Sequence, residues 1–484
     1  MRSIVFILLL RFAATAGATN YYVNSQAGDD VRSGTSRTQA WRTLTRVNQQ
    51  VFQPGDEVLF KAGTRYTGQL KPQGSGAEGN PIRIGKYGLG GPPRIDGQGE
   101  VLDTLLLRNV EFWEVQDLEI TNLGPDREPG RTGVRIVAEN FGKLRHIQLR
   151  RLFVHDVNGD LRKTHEGCGI YFETLGKQTP SHFDDLSIED CRVLQADRNG
   201  ICQRNGSGPH SVRVVIRGNL LEDIGGDCIK PWGSDGPLVE HNTVRGGRMR
   251  CDDGAAGIWP FDCNDALIQF NEVSGVKGIK DGQGFDSDYQ CRRSVFQYNY
   301  SHDNEGGFML ICSPGDSFNE DTVIRYNISQ NDGINTARVF QFGGGSSNTL
   351  VYNNTIYIGT NQNLPLLEFG SWEGGHPDGA KFFNNLFYVD GRVTYKWGSS
   401  TNLIFGNNVF YGNHSELPSD AFAITNRPAL CWPGGGSIKG YRPASGSKFP
   451  RGQIMPNNGG RDFFGNAVPA DRPPSIGAVE GGRD

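Results

Sequence analysis

The sequence predicts an all-β fold: one long solenoid of parallel strands, stacked coil upon coil. Three observations predict it. A short phrase closing on asparagine recurs along the chain, and a second strand-like phrase recurs about a dozen residues after each. In addition, 67 glycines and 24 prolines among 484 residues mark many turns rather than long helices.

The chain opens with Arg2, an apolar run from Ile4 to Leu10 that Arg11 cuts short, and small residues at Ala14, Ala16 and Ala18. This pattern predicts a signal peptide over residues 1–18, hence a secreted or periplasmic protein with no membrane insertion after cleavage. Residues 19–95 are expected as an N-terminal cap and first coils. Within them AWRTLTRVNQQV places Trp41, Leu44, Val47 and Val51 on one face of a short capping helix. Such a helix would cover strand edges that otherwise stay unpaired. A net charge of −4 and a pI near 6.2 offer no basic surface for nucleic acid. Nine cysteines in an exported chain allow disulfides and leave at least one thiol over.

Residues 96–415 are the expected repeat core. VIRGNL, LVEHNT, LIQFNE, VFQYNY, VIRYNI, LVYNNT, FFNNLF and IFGNNV share Asn219, Asn242, Asn271, Asn299, Asn327, Asn354, Asn385 and Asn408, spaced 23 to 31 residues apart. That spacing is one coil per repeat. WEVQDLEI, IQLRRLFV and LSIEDCRV extend the apolar pattern upstream without the asparagine, so at least ten coils follow. At about 4.8 Å per coil the stack is about 45–50 Å long. An asparagine recurring at an inward turn donates and accepts along the stack and leaves no buried turn amide unpaired. Residues 416–484 lose the repeat and are expected as a C-terminal tail packing on the last coils.

These repeats, together with YYVNSQAGDD, PGDEVLFKAGTRYTGQL, GSGAEGNPIRIGKYG and DFFGNAVPADRPPSIGAVE, resemble the right-handed parallel β-helix carbohydrate-active proteins. This is the fold of pectate lyases and polygalacturonases. The resemblance covers nearly all the mature chain, and it implies a right-handed β-helix that acts on a polysaccharide or oligosaccharide.

The second phrase appears as GIYFET, GICQRN, CIKPWG, GIWPFD, GFDSDY, GFMLIC, RVFQFG and PLLEFG. Aligned on the residue after glycine, it gives an inward apolar column: Ile170, Ile201, Ile229, Ile258, Phe285, Phe308, Val339 and Leu367. Alternation then turns two columns outward. The first holds Tyr171, Cys202, Lys230, Trp259, Asp286, Met309, Phe340 and Glu368; the second holds Glu173, Arg204, Trp232, Phe261, Asp288, Ile311 and Phe342. An exposed strip that mixes aromatics with charges suits a sugar, whose ring faces stack while its hydroxyls bond to polar groups. Trp232, Trp259, Phe261, Tyr171, Glu173 and Arg204 are the expected substrate contacts.

Asp286 and Asp288, two apart on one strand face, are expected about 7 Å apart. That spacing suits a glycosidase that inverts configuration, which needs about 6.5–9.5 Å. A glycoside hydrolase is therefore the preferred reading, with Asp286 and Asp288 catalytic, no cofactor required, and Glu305 or Asp227 as further carboxylates. Polygalacturonase-like hydrolases carry a paired Asp-Asp, a Gly-His-Gly and an Arg-Ile-Lys; here GGDCIKPWG offers Asp227 alone and the later motifs are missing. The alternative is a polysaccharide lyase acting on a uronate, with Lys230 or Lys280 as base and calcium held by Asp281, Asp286 and Asp288. His302 is either a catalytic group or a turn residue. A third alternative is a glycan-binding solenoid without catalysis.

Overall fold

The computed structural model describes residues 17–163, 167–206, 208–334 and 337–481. The expected signal peptide falls almost wholly outside these. The described chain is a right-handed parallel β-helix whose strand ladders run parallel throughout and form three faces. The first face is a sheet of 19 strands. The interior is a continuous aliphatic and aromatic core, with Val115, Leu149, Ile188, Ile216, Val239, Ile268, Phe296, Ile324, Val351 and Phe382 succeeding one another on the first face.

The asparagine ladder is continuous from Asn219 to Asn408. Asn271 donates both its backbone N–H and its Nδ2 to Oδ1 of Asn299 at 3.0 Å, and Nδ2 also donates to the Val239 carbonyl at 3.0 Å. Each rung repeats this pattern. At the far end Asp420 takes the place of the next asparagine, and its Oδ2 accepts both amides of Asn408 at 2.9 Å. The ladder answers a backbone demand. The residue before each rung is left-handed, as at His241 (φ 56), Phe270 (φ 54), Tyr298 (φ 57) and Tyr326 (φ 51), a conformation costing about 1–2 kcal/mol outside glycine. The same turn continues upstream at Asp117, Arg151 and Asp190, where Leu118, Leu152 and Cys191 point inward instead.

Between Asp286 and the next coil the aligned columns slip by one residue. The observed partners are Phe285 with Met309, Asp286 with Leu310, and Ser287 with Ile311. Met309 and Ile311 therefore point into the core, followed by Phe340 and Phe342, and all four are buried in the main cluster. Leu310, Cys312 and Gln341 take the outward places. At the start of this strand Gly307 has φ 127, open to glycine alone, and against the following coil the N–H groups of Phe308 and Met309 share the Val339 carbonyl at 2.8 and 3.1 Å.

One short helix, Leu44–Gln49, is capped by the Thr43 hydroxyl and buries Leu44 and Val47; Trp41 is buried ahead of it, and Val51 is exposed rather than part of its face. After residue 416 the chain runs back along the solenoid. Tyr441, Ile476 and Ala478 pack on Ile328, Tyr357 and Leu386, while Met455 and Val468 pack on Tyr298, Tyr326 and Tyr352. No disulfide joins the nine cysteines among the described residues, and only Cys431 is exposed.

Candidate active site

Beside the first face Lys230, Trp259, Asp286 and Leu310 follow one another on successive coils. Two prolines shape this stretch. Pro231 and Pro260 have no N–H to give a ladder, so the strands shrink to Ile229–Lys230 and a single bridge at Ile258. The chain turns there, and Trp232 and Phe261 open paired strands of the neighbouring sheet. The corner between the two sheets becomes the floor of a pocket of about 530 Å³.

The strip expected to be exposed is largely covered. Tyr171, Glu173, Lys230, Trp259 and Asp286 are buried, Trp232, Phe261 and Asp288 are half-buried, and Arg204 alone among these is open to solvent. Lys163 and Trp372 join the pocket lining from segments outside the repeat. Trp372 lies across Gly343, where a Cβ would come within 2.6 Å of the indole. The pocket gathers Arg204, Lys230, Trp232, Trp259, Phe261, Asp281, Asp286 and Asp288 from the sequence reading. It adds Lys163, Tyr289, Leu310, Cys312 and Trp372. Cys312 was hidden by the slipped register, and Lys163 and Trp372 belong to no repeat; the only sequence signal for the latter is a tryptophan in a glycine-rich loop.

The remaining candidates lie outside the pocket lining. Glu173 is held by the Arg135 guanidinium, with Nε at 2.8 Å. Tyr171 packs with Cys168 and Cys202. Glu305 accepts from Lys277 Nζ at 3.2 Å and from the Gly278 amide at 2.6 Å. Lys280 is exposed. His302 stacks on Tyr300 and lies between Asp303 and Glu272; burial opposes its charge, but the two carboxylates outweigh it and push its pKa up to about 9. Asp227 is fully buried under the floor, where its Oδ1 accepts from the Trp259 indole at 3.0 Å. Burial raises its pKa, yet Arg198, Lys163 and Lys230 outweigh burial and keep it below the ordinary value. Asp227 therefore fixes Trp259, while the Lys230 and Lys163 ammoniums stand 5.2 and 5.1 Å from that ring.

Asp286, Asp288 and Cys312 form the tightest polar group in the pocket. One oxygen of each aspartate and the sulfur lie within 4.8 Å of one another, so the carboxylates are closer than the 7 Å expected from strand spacing. Burial, then the neighbouring Asp288 and Asp281, drive the Asp286 pKa well above the carboxylate range. Burial also pushes Asp288 up to about 6, against the pull of Lys163, the Tyr289 amide and Cys312. Asp281 is raised by burial as well. Cys312, raised by burial and by both aspartates, stays a thiol and donates to Asp288 Oδ1 at 3.3 Å. Burial favours keeping a proton within the pair, and the two donors on Asp288 favour placing the charge there rather than on Asp286.

A family model described as "Right handed beta helix region" matches residues 168–356. The lacto-N-biosidase of Bifidobacterium longum subsp. longum is 29% identical over a 605-residue alignment taking in 96% of this chain. The chain spans only 36% of that relative's length. The crystal structure of a GH136 lacto-N-biosidase from Eubacterium ramulus is similar at a TM-score of 0.66 and 26% identity, over 77% of this chain and 68% of that one. A complex of XylC with xylose matches at a TM-score of 0.55 and 10% identity, over 96% of this chain and 98% of that one, which shows the fold alone.

Proposed function

We propose that this protein is an exported glycoside hydrolase that cleaves an oligosaccharide in the manner of a lacto-N-biosidase. The observation that carries the reading is the close carboxyl pair on the floor of a tryptophan-walled pocket, with Asp286 buried and its Oδ1 without a donor among the described residues while Asp288 holds two donors. The similarity to lacto-N-biosidases supports the substrate class. Asp286 gives its proton to the glycosidic oxygen. Asp288, steadied by the Cys312 thiol and the Tyr289 amide, attacks the anomeric carbon, and Asp286 then takes a proton from the water that releases the sugar. The oxygen separation, within 4.8 Å, falls on the side of retaining enzymes at about 5–5.5 Å, so retention replaces the inversion expected from strand spacing. Trp232, Phe261 and Trp372 give the sugar apolar walls, and Arg204 bonds to its hydroxyls.

A second reading is favoured by Lys163, Lys230 and Arg204 standing in the same pocket: elimination from a uronate-containing polysaccharide, with calcium on Asp281, Asp286 and Asp288. Incubation with a panel that includes lacto-N-biose-terminated oligosaccharides and uronate polysaccharides separates the readings. New reducing ends without absorbance of unsaturated uronates support hydrolysis. Both signals together mean a lyase, and saturable binding with neither signal means a glycan-binding solenoid.

A further inference from the structure

The same three side chains that form the acid pair and its thiol neighbour carry a second chemistry. We infer that Asp286, Asp288 and Cys312 form a binding site for a thiophilic divalent cation of the zinc class, and that occupancy silences the acid pair. The inhibitory part rests on the glycosidase reading; the binding does not.

Two independent observations point to a ligand. One is the donor set, two carboxylates and a sulfur within 4.8 Å of one another: Asp286 on strand Gln283–Ser287, Asp288 just past its end, and Cys312 on the neighbouring strand Gly307–Ser313. The other is that Asp286 is 5% exposed and its Oδ1, lacking solvent, meets no hydrogen-bond donor among the described residues. A buried acceptor left without a donor costs about 1–3 kcal/mol, and a cation would supply the missing contact. Lys163, an ammonium of the same pocket, is bonded to the Gly254 carbonyl at 3.2 Å and set over Trp259.

Sulfur selects the metal. Calcium takes about six to eight oxygens, and a site with a thiol and two carboxylates does not provide them. Zinc accepts about 2.3 Å to sulfur and about 2.0–2.2 Å to oxygen in a tetrahedron, which sets its ligand atoms about 3.5 Å apart. The Cys312 sulfur and Asp288 Oδ1 already stand at 3.3 Å, so Asp286 has only to close the remaining gap. The pocket leaves the fourth position to water or a sugar hydroxyl. On binding, the thiol proton and the proton held by the aspartates pass to solvent, metal–sulfur and metal–oxygen bonds form, and no electron is transferred. The general acid then has no proton to give.

The test titrates the full-length mature protein with cobalt(II) and reads the near-ultraviolet sulfur-to-cobalt charge-transfer band, then displaces cobalt with zinc. One equivalent is expected to produce the band, Cys312→Ser to abolish it, and Asp286→Asn to weaken binding at least about tenfold. Melting curves establish that each variant is folded; should Cys312→Ser not fold, Cys312→Ala takes its place. No band, or a band that persists without Cys312, overturns the site. In wild-type protein that hydrolyses an oligosaccharide, saturating zinc is expected to stop turnover and a chelator to restore it. Full turnover with zinc bound overturns the placement on the acid pair. If no substrate is hydrolysed, the glycosidase reading falls and the cobalt spectrum alone decides the metal site.

Discussion

Asp286 and Asp288 are held where a charge is costly, and this has consequences for stability as well as catalysis. Both folded pKa values lie above the ordinary 3.8, Asp288 at about 6. For a carboxyl raised on folding, the native state binds the proton more tightly than the unfolded state. The resulting stabilisation is complete below about 3.8 and is lost as pH rises through the folded pKa. The advantage of Asp288→Asn in melting temperature over wild type should therefore grow between about pH 4 and pH 6 and then level off. Wild-type kcat/KM should fall on the acid side with a midpoint near pH 6, as Asp288 gains its proton. A variant difference that stays flat across this range would place the pair in a more solvated setting than the structure does. The two tryptophans differ in the same way. Trp259 is buried and bonded to Asp227, so Trp259→Ala should lower the melting temperature. Trp232 is half-buried and faces the pocket, so Trp232→Ala should weaken oligosaccharide binding and leave the melting temperature near that of wild type.

At the level of the element, each coil is a set of short strands joined at a turn that its residues do not favour. A left-handed tyrosine, phenylalanine or histidine precedes the ladder asparagine in the four coils from Asn242 to Asn327, and the asparagine side chain supplies two accepted and two donated bonds around it. Asn299→Leu removes a buried partner from Asn271, Ile268 and Asn327 together, so a loss of about 1–3 kcal/mol is expected in denaturant unfolding. Unfolding at the wild-type midpoint would show that the ladder follows the fold rather than supporting it. Asp420 ends the ladder with a carboxylate that accepts but cannot pass a bond onward, and Asp420→Ala should speed hydrogen exchange at Asn407 and Asn408 while the central coils keep theirs.

Across the whole molecule, sequence periodicity read the repeating parts well and the exceptions poorly. The asparagine phrase placed every rung from Asn219 to Asn408, because one residue per coil performs one task in each. The inward column held through Phe285 and failed one coil later, where matching the phrases on their glycines sets Phe308 beside Phe285 while the ladder pairs Phe285 with Met309. Trp232, Trp259, Phe261, Asp286 and Asp288 do converge on one pocket. Their burial was not legible from alternation, nor was Cys312, which the slipped register assigned to the core-facing side. Glu305 and His302 resembled site residues by composition, yet Glu305 is bonded by Lys277 and Gly278, and His302 is flanked by the Asp303 and Glu272 carboxylates.

The central claim is that the acid pair cleaves the glycosidic bond. Its most direct test is steady-state turnover of wild type, Asp286→Asn and Asp288→Asn on the oligosaccharide that the wild type hydrolyses, each shown to be folded by its melting curve. A fall in kcat of about 10²–10⁴-fold in each variant, with the fold intact, is the expected result. Wild-type turnover in both variants would contradict the account and remove this strand from the chemistry.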